Sequence, residues 1–208
     1  MCSAFPPLQW LSFAGSELKS IFQPSVFPTA FLVVYKIINS DIIKLLFEVL
    51  KKGVETMIRK AKSNDIPAIA ELYREQFYEM SKLIPDFIKE GEQSTEFIEN
   101  TIADEESDIL VYENDDTVVG FILLQSKTRP DFDFMLPGKF CYIMDIIVTQ
   151  THRGKGFGTS LMIAAKEWAK EKDCSFINLD VLVNNPYAIK LYEKLGFIPK
   201  AQEMYCKL

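Results

Sequence analysis

Residues 57–208 read as a mixed α/β domain, on three observations. Short β-rich runs alternate with stretches whose apolar residues recur at helical spacing. The triplet Asn114-Asp115-Asp116 supplies turn chemistry between two such runs. A glycine-rich loop, Arg153-Gly154-Lys155-Gly156-Phe157-Gly158, joins an apolar strand to a helix.

Taken in order, Met57–Ala61 reads as a short strand. Asp65 is placed to cap a helix through about Met80, with Ile69, Leu72 and Phe77 among its apolar positions. A more acidic helix is expected from about Asp86 to Ile102. Ile109–Tyr112 and Val118–Leu124 read as strands. Thr128 to Lys139, with two prolines and a glycine, reads as a long loop. Phe140–Val148 is an apolar strand, Thr159 to Lys172 a helix, and Phe176–Val183 another strand. Asn185 to Leu195 is a helix: Asn185 suits the N-cap, Pro186 the first helical position and Gly196 the stop. Gln202 to Leu208 is expected to form a last strand.

Residues 1–56 differ in composition. They hold Pro6, Pro7, Pro24 and Pro28 and several apolar clusters, with five lysines against four acidic residues. No run reaches the ~18 apolar residues of a membrane span, and no Lys or Arg precedes Lys19 as a secretory signal would require. Ile42, Ile43, Leu46 and Leu50 suit an amphipathic helix. Two readings fit this extension: a packing or membrane-surface appendage, or an upstream extension of the reading frame with Met57 the working start. The abrupt change of composition favours the second.

The whole chain has 208 residues and a formal charge of −6, which argues against a general nucleic-acid or anionic-membrane binder. Cys2, Cys141, Cys174 and Cys206 form no C-x-x-C pair, and His152 is the lone histidine. That spacing supports neither a structural metal site nor a disulfide framework, and free thiols in a reducing cytoplasm are expected.

The glycine loop carries the chemistry. Glycine lets successive backbone N–H groups turn toward one point, and the following helix adds unpaired N–H groups and the positive end of its dipole. Arg153 and Lys155 add formal charge. The expected ligand is a phosphate or pyrophosphate. The dinucleotide pattern fails at Thr159 and the P-loop pattern lacks its Gly-Lys-Ser/Thr, whereas Arg-x-x-Gly-x-Gly is filled by Arg153, Gly156 and Gly158.

This loop, followed by Asn185, Ala188, Leu191-Tyr192 and Gly196-Phe197, resembles the GNAT superfamily of acyl-CoA N-acyltransferases. The resemblance covers about Met57 to Leu208, including the opening strand and helix in IRKAKSNDIPAIAEL. It implies a mixed, mostly antiparallel sheet flanked by helices, with a splay between two parallel strands, Phe140–Val148 and Phe176–Val183. It implies acetyl-CoA as co-substrate and no metal. The pantetheine arm is expected against the backbone of Ile146, Ile147 and Val148. The pyrophosphate is expected on Arg153, Gly154, Lys155, Gly156, Phe157, Gly158 and Thr159, with Asn185 near the pantetheine and Tyr192 near the thioester sulfur.

The reaction implied is direct attack of a neutral primary amine on the thioester, with Tyr192 either the acid for the departing thiolate or a packing residue only, the acid being the leading reading. Some relatives carry a glutamate on the strand before the loop; here Met144 stands there, followed by Asp145. Asp145, Asp180 or a water path remain as the base, and Asp145 is the leading side chain. Adjacent strand residues face opposite ways unless a bulge intervenes, so Asp145 is not a simple substitute. His152 reads as an exposed loop residue.

The carboxylates between Glu71 and Asp108 form either an acidic rim that attracts a cationic acceptor or a solvated helix face. The acceptor expected is an amine-bearing small molecule or peptide. A non-catalytic acyl-CoA sensor and a protein N-terminal acetyltransferase remain as alternatives, and a homodimer stays open.

Overall fold

The computed structural model describes residues 57–207; the extension 1–56 lies outside the described residues. Five strands form one sheet in the order β1-β2-β3-β4-β5. They are β1 (Ile58–Lys60), β2 (Ser107–Asn114), β3 (Thr117–Thr128), β4 (Lys139–Val148) and β5 (Cys174–Leu179). Helices α1 (Ile66–Leu83) and α2 (Thr95–Ala103) fall between β1 and β2. Helix α3 (Phe157–Glu171) links β4 to β5, and α4 (Pro186–Lys194) follows β5. The first four strands pair antiparallel, and β4 pairs parallel with β5. This is the mixed sheet with one parallel pair that the sequence leads one to expect.

Both faces of the sheet are covered, so the central strands are apolar on alternate residues in both directions. Ile109, Val111, Phe121 and Leu123 point to one side, where they meet Ile69, Leu72 and Tyr73 of α1 and Ile98 of α2. Leu110, Tyr112, Ile122 and Leu124 point to the other, against Leu161, Met162, Ala165 and Trp168 of α3 and Tyr192 of α4. The β2–β3 hairpin turns at Asp115 and Asp116, whose φ values of 50° and 57° suit the tight turn that Asn and Asp favour.

Asp65 stands at the start of α1, but its side chain does not cap the helix. It turns back instead, accepting from the Lys62 N–H at 2.7 Å and pairing with the Arg59 guanidinium of β1 at 2.7 Å. Helix α2 begins nine residues later than expected. Gly91 lowers helix propensity, and its neighbours Lys89, Glu90 and Glu92 supply no apolar stripe to bury. Strand β5 ends at Leu179 rather than Val183. Residues 202–207 form no strand. They are exposed and make side-chain contacts with the segment after α1: Tyr205 meets the Phe87 ring edge-on at 4.7 Å, and Lys207 pairs with Asp86 at 2.8 Å.

Gly120 pairs with Val148, and a Cβ there would stand 2.7 Å from the Ile147 carbonyl oxygen. Gly120→Ala must therefore push β3 away from β4, and it is expected to cost about 1–3 kcal/mol of stability in urea unfolding. Arg59, through its hydrogen bonds, holds the Asp65 carboxyl below the usual carboxylate range against the opposing effect of burial. Its contribution is therefore full above the ordinary carboxyl pKa and is lost as pH falls through the lowered folded value. Asp65→Ala is expected to destabilise by about 2 kcal/mol at pH 7, with the variant and wild-type stabilities converging below about pH 4.

Candidate active site

The site starts with a break in pairing. Strand β4 pairs with β5 only as far as Ile143 opposite Leu179, yet remains paired with β3 down to Val148. From Met144 onward the β5 side of β4 has no strand partner, which leaves a gap in the pairing of the two parallel strands. The Thr149 N–H donates to the Val119 carbonyl at 2.9 Å on the β3 side. By the alternation of an antiparallel ladder, the N–H groups of Ile146 and Val148 face the gap, while that of Ile147 faces β3. The Val148 carbonyl is already taken: the Arg153 Nε–H donates to it at 2.9 Å.

The second feature is a bulge. The β3 partners step from Leu124 opposite Ile143 to Leu123 opposite Asp145, which leaves Met144 as the extra residue. Upstream of it, Cys141 and Ile143 lie in the core on the α3 side. Downstream, Ile147 lies in the core on the α1 side. Asp145 thus reaches α1, where it accepts from the Tyr73 hydroxyl at 2.9 Å and from Gln76 Nε2 at 3.0 Å. Met144 is left partly exposed at 37%.

Burial raises the Asp145 carboxyl above the usual range, and the two hydrogen bonds work against that rise. Tyr73, 1% exposed, is pushed up by burial and by the Asp145 charge. The Gln76 Oε1 is buried without a hydrogen-bond partner. Beside this group, the Tyr142 hydroxyl donates to Asp180 at 2.7 Å and is raised to about 12, first by that bond and then by burial. Asp180 lies one residue past β5 and is exposed. Tyr73, Gln76 and Tyr142 are not singled out by sequence patterning. Tyr73 and Gln76 do sit one turn apart on α1, the spacing that puts two side chains on one face.

Beyond the gap, the glycine loop runs into α3. Gly154 and Gly156 have φ of 76° and 91°, which glycine adopts without strain. Nothing lies within 4 Å of where a Cβ would stand on either, so the loop is open on its outer side. No side chain caps α3, and the N–H groups of Phe157, Gly158 and Thr159 precede the first helical acceptor position. The Phe157 ring is stacked on Tyr112 at 4.2 Å, which fixes the start of the helix against the sheet. Lys155 is exposed beside the loop, whereas Arg153 pairs with Glu79 at 2.8 Å and Glu75 at 3.4 Å. His152 lies against Phe157 at the back of the same loop.

Tyr192 lies on α4, 8% exposed, with its ring against Phe197. Burial alone raises its hydroxyl to about 12. Asn185 caps α4, accepting from the Ala188 N–H at 3.2 Å, as its sequence position suggests. Tyr192 packs on the α3 side of the sheet and Asp145 contacts the α1 side, so the two lie on opposite faces. An open depression of about 370 Å³ on the outer side of α1 is lined by Glu71, Arg74, Glu75, Tyr78, Glu90 and Gly91.

The residues present fit a CoA thioester: an unpaired strand edge suits an amide-bearing arm, and an open glycine turn at a helix N-terminus suits a pyrophosphate. The model of the acetyltransferase (GNAT) family matches residues 66–197. The chain belongs to that family. It is 31% identical over 140 residues to the uncharacterised N-acetyltransferase YhfO of Bacillus subtilis, covering 67% of this chain and 88% of that one. It is 31% identical over 154 residues to an N-alpha-acetyltransferase of Sulfurisphaera tokodaii, covering 73% and 85%. With some other curated relatives the match spans only 26% to 35% of their length. Among solved structures, the BH1408 protein of Bacillus halodurans superposes with a TM-score of 0.70 at 25% identity, over 73% of this chain and 98% of that one.

The raised Asp145 carboxyl has a stability consequence. A group raised in the folded state favours folding most below its ordinary pKa, and that stability is lost as pH rises through the folded value. Asp145→Asn removes this loss, and Gln76 can turn its amide over to accept from the new NH2 group. The variant is expected to melt a few degrees above wild type at pH 7, with the difference closing below about pH 4. Thermal unfolding across pH measures it.

Proposed function

We propose that this acetyltransferase-family chain moves an acetyl group from acetyl-CoA to a primary amine by direct attack. The observation that carries the reading is the gap where β4 parts from β5, with free N–H groups at Ile146 and Val148 and the open glycine loop at its end.

In this reading the loop N–H groups from Gly154 to Thr159 hold the pyrophosphate, with Lys155 adding charge; the Arg153 N–H, expected among them, donates to the Gln150 carbonyl at 3.3 Å instead. The backbone of Ile146, Ile147 and Val148 lines the pantetheine, with Asn185 beside it. Acetyl-CoA supplies an activated thioester carbonyl. The Ile146 or Val148 N–H stands where it can donate to the carbonyl oxygen as negative charge develops. The amine lone pair attacks the carbonyl carbon, the C–N bond forms and the C–S bond breaks. Asp145 takes the amine proton, directly or through water, and its raised pKa makes it a better base than an ordinary aspartate. Tyr192 gives its proton to the departing thiolate; with a pKa near 12 it stays protonated across the working pH range. Asp145 approaches from the α1 face and Tyr192 from the α3 face, a disposition suited to opposite proton movements on two sides of one carbonyl.

The acceptor is the amine of a small molecule or a peptide. The name of the Sulfurisphaera relative supports a peptide terminus, and the free thiols of Cys141, Cys174 and Cys206 fit a cytoplasmic setting.

Thiol release from acetyl-CoA across a panel of polyamines, amino sugars and peptide N-termini tests the proposal. Release with at least one class is expected; tight CoA binding with no release for any amine favours a sensor instead. Tyr192→Phe is expected to lower kcat about 100-fold, with CoA affinity little changed. Full turnover by this variant would leave Tyr192 a packing residue.

A further inference from the structure

The carboxylates of α1 invite a simple reading, that they attract a cationic acceptor. Their contacts point elsewhere. Glu75 Oε1 accepts from the Gln150 N–H at 2.6 Å and lies 3.4 Å from the Arg153 guanidinium. Glu79 Oε2 accepts from Arg153 Nη1 at 2.8 Å. Arg153 in turn donates from Nε to the Val148 carbonyl. Two carboxylates one helical turn apart thus grip both ends of the turn Gln150–Arg153, which carries the chain from the last residue of β4 into the glycine loop.

We propose that Glu75 and Glu79 are positioning residues for the CoA loop, holding it through Gln150 and Arg153 so that its N–H groups face the gap before the ligand arrives. The inference rests on the reading of that loop as a pyrophosphate site. It deepens that reading, because it ties the donor loop to the helix that borders the opposite side of β4. It also removes Arg153 as a free cation: its charge is neutralised by two carboxylates, and anion recognition falls to Lys155 and the backbone N–H groups.

The alternative makes a prediction of opposite sign. Were these carboxylates merely a negative rim near a polyanionic ligand, removing one would relieve repulsion and tighten CoA binding, most visibly at low salt. Were they positioning groups, removing one would release the loop and weaken binding, because the ligand would have to order it.

The experiment is calorimetric titration of free CoA, without acceptor, into wild type, Glu75→Ala, Glu79→Ala, Arg153→Ala and Glu79→Ala/Arg153→Ala, at low and moderate salt. Glu75→Ala and Glu79→Ala are each expected to weaken CoA binding about 5- to 20-fold. The double variant should bind about as well as Arg153→Ala, since both lesions break one connection. Deuterium exchange on the ligand-free proteins should show faster exchange at residues 150–158 in Glu79→Ala, with the rest of the sheet unchanged, which separates a loosened loop from failed folding. Unchanged or tighter CoA binding in Glu75→Ala and Glu79→Ala, with unchanged loop exchange, overturns the inference and leaves the proposed function standing. Absence of CoA binding by wild type overturns both.

Discussion

The bulge at Met144 is the constraint on which the site depends. A regular β4 would send Cys141, Ile143, Asp145 and Ile147 all to one face. The extra residue sends the first pair into the α3-side core and the second pair to the α1 side. It lies where pairing with β5 stops, so one local irregularity coincides with two results: an aspartate reaches Tyr73 and Gln76, and a strand edge is left without a strand partner. Bulges redirect side chains in this way at the cost of local ladder hydrogen bonds, and here β3 keeps the remainder of the ladder intact.

Much of the architecture was legible from local chemistry. Asn185 and Pro186 announced the start of α4, the Asn-Asp-Asp triplet announced the hairpin, and the spaced glycines announced an open turn leading into α3. Each works through torsions or caps that a few neighbouring residues determine. What stayed hidden depends on contacts between distant parts of the chain. Nothing in Met144-Asp145 distinguishes a bulged strand from a regular one, because Met suits either a core or a half-exposed position. The partners of Asp145 come from α1, roughly seventy residues earlier. Asp65 shows the converse: its sequence position suggests a cap, but a nearby guanidinium outcompetes the helix N–H groups.

The charges tell a similar story at longer range. Acidic residues on α1 and α2 look alike in sequence. In the fold, Glu75 and Glu79 meet the loop after β4, Glu71 pairs with Arg74, and Asp86 meets Lys207 of the C-terminal segment. Spacing along one helix pairs Glu71 with Arg74, but only the crossing of α1 over β4 brings Glu75 and Glu79 to Arg153.

The ladder between β3 and β4 beyond the bulge has a further consequence. One wall of the gap, Asp145–Val148, stays paired with β3 beyond the bulge and is held at close range by Gly120. Ladder pairing and the close approach at Gly120 both stiffen this stretch. In the proposed function it would work as a fixed ruler, offering a ligand laid along it backbone amides at the regular spacing of a strand.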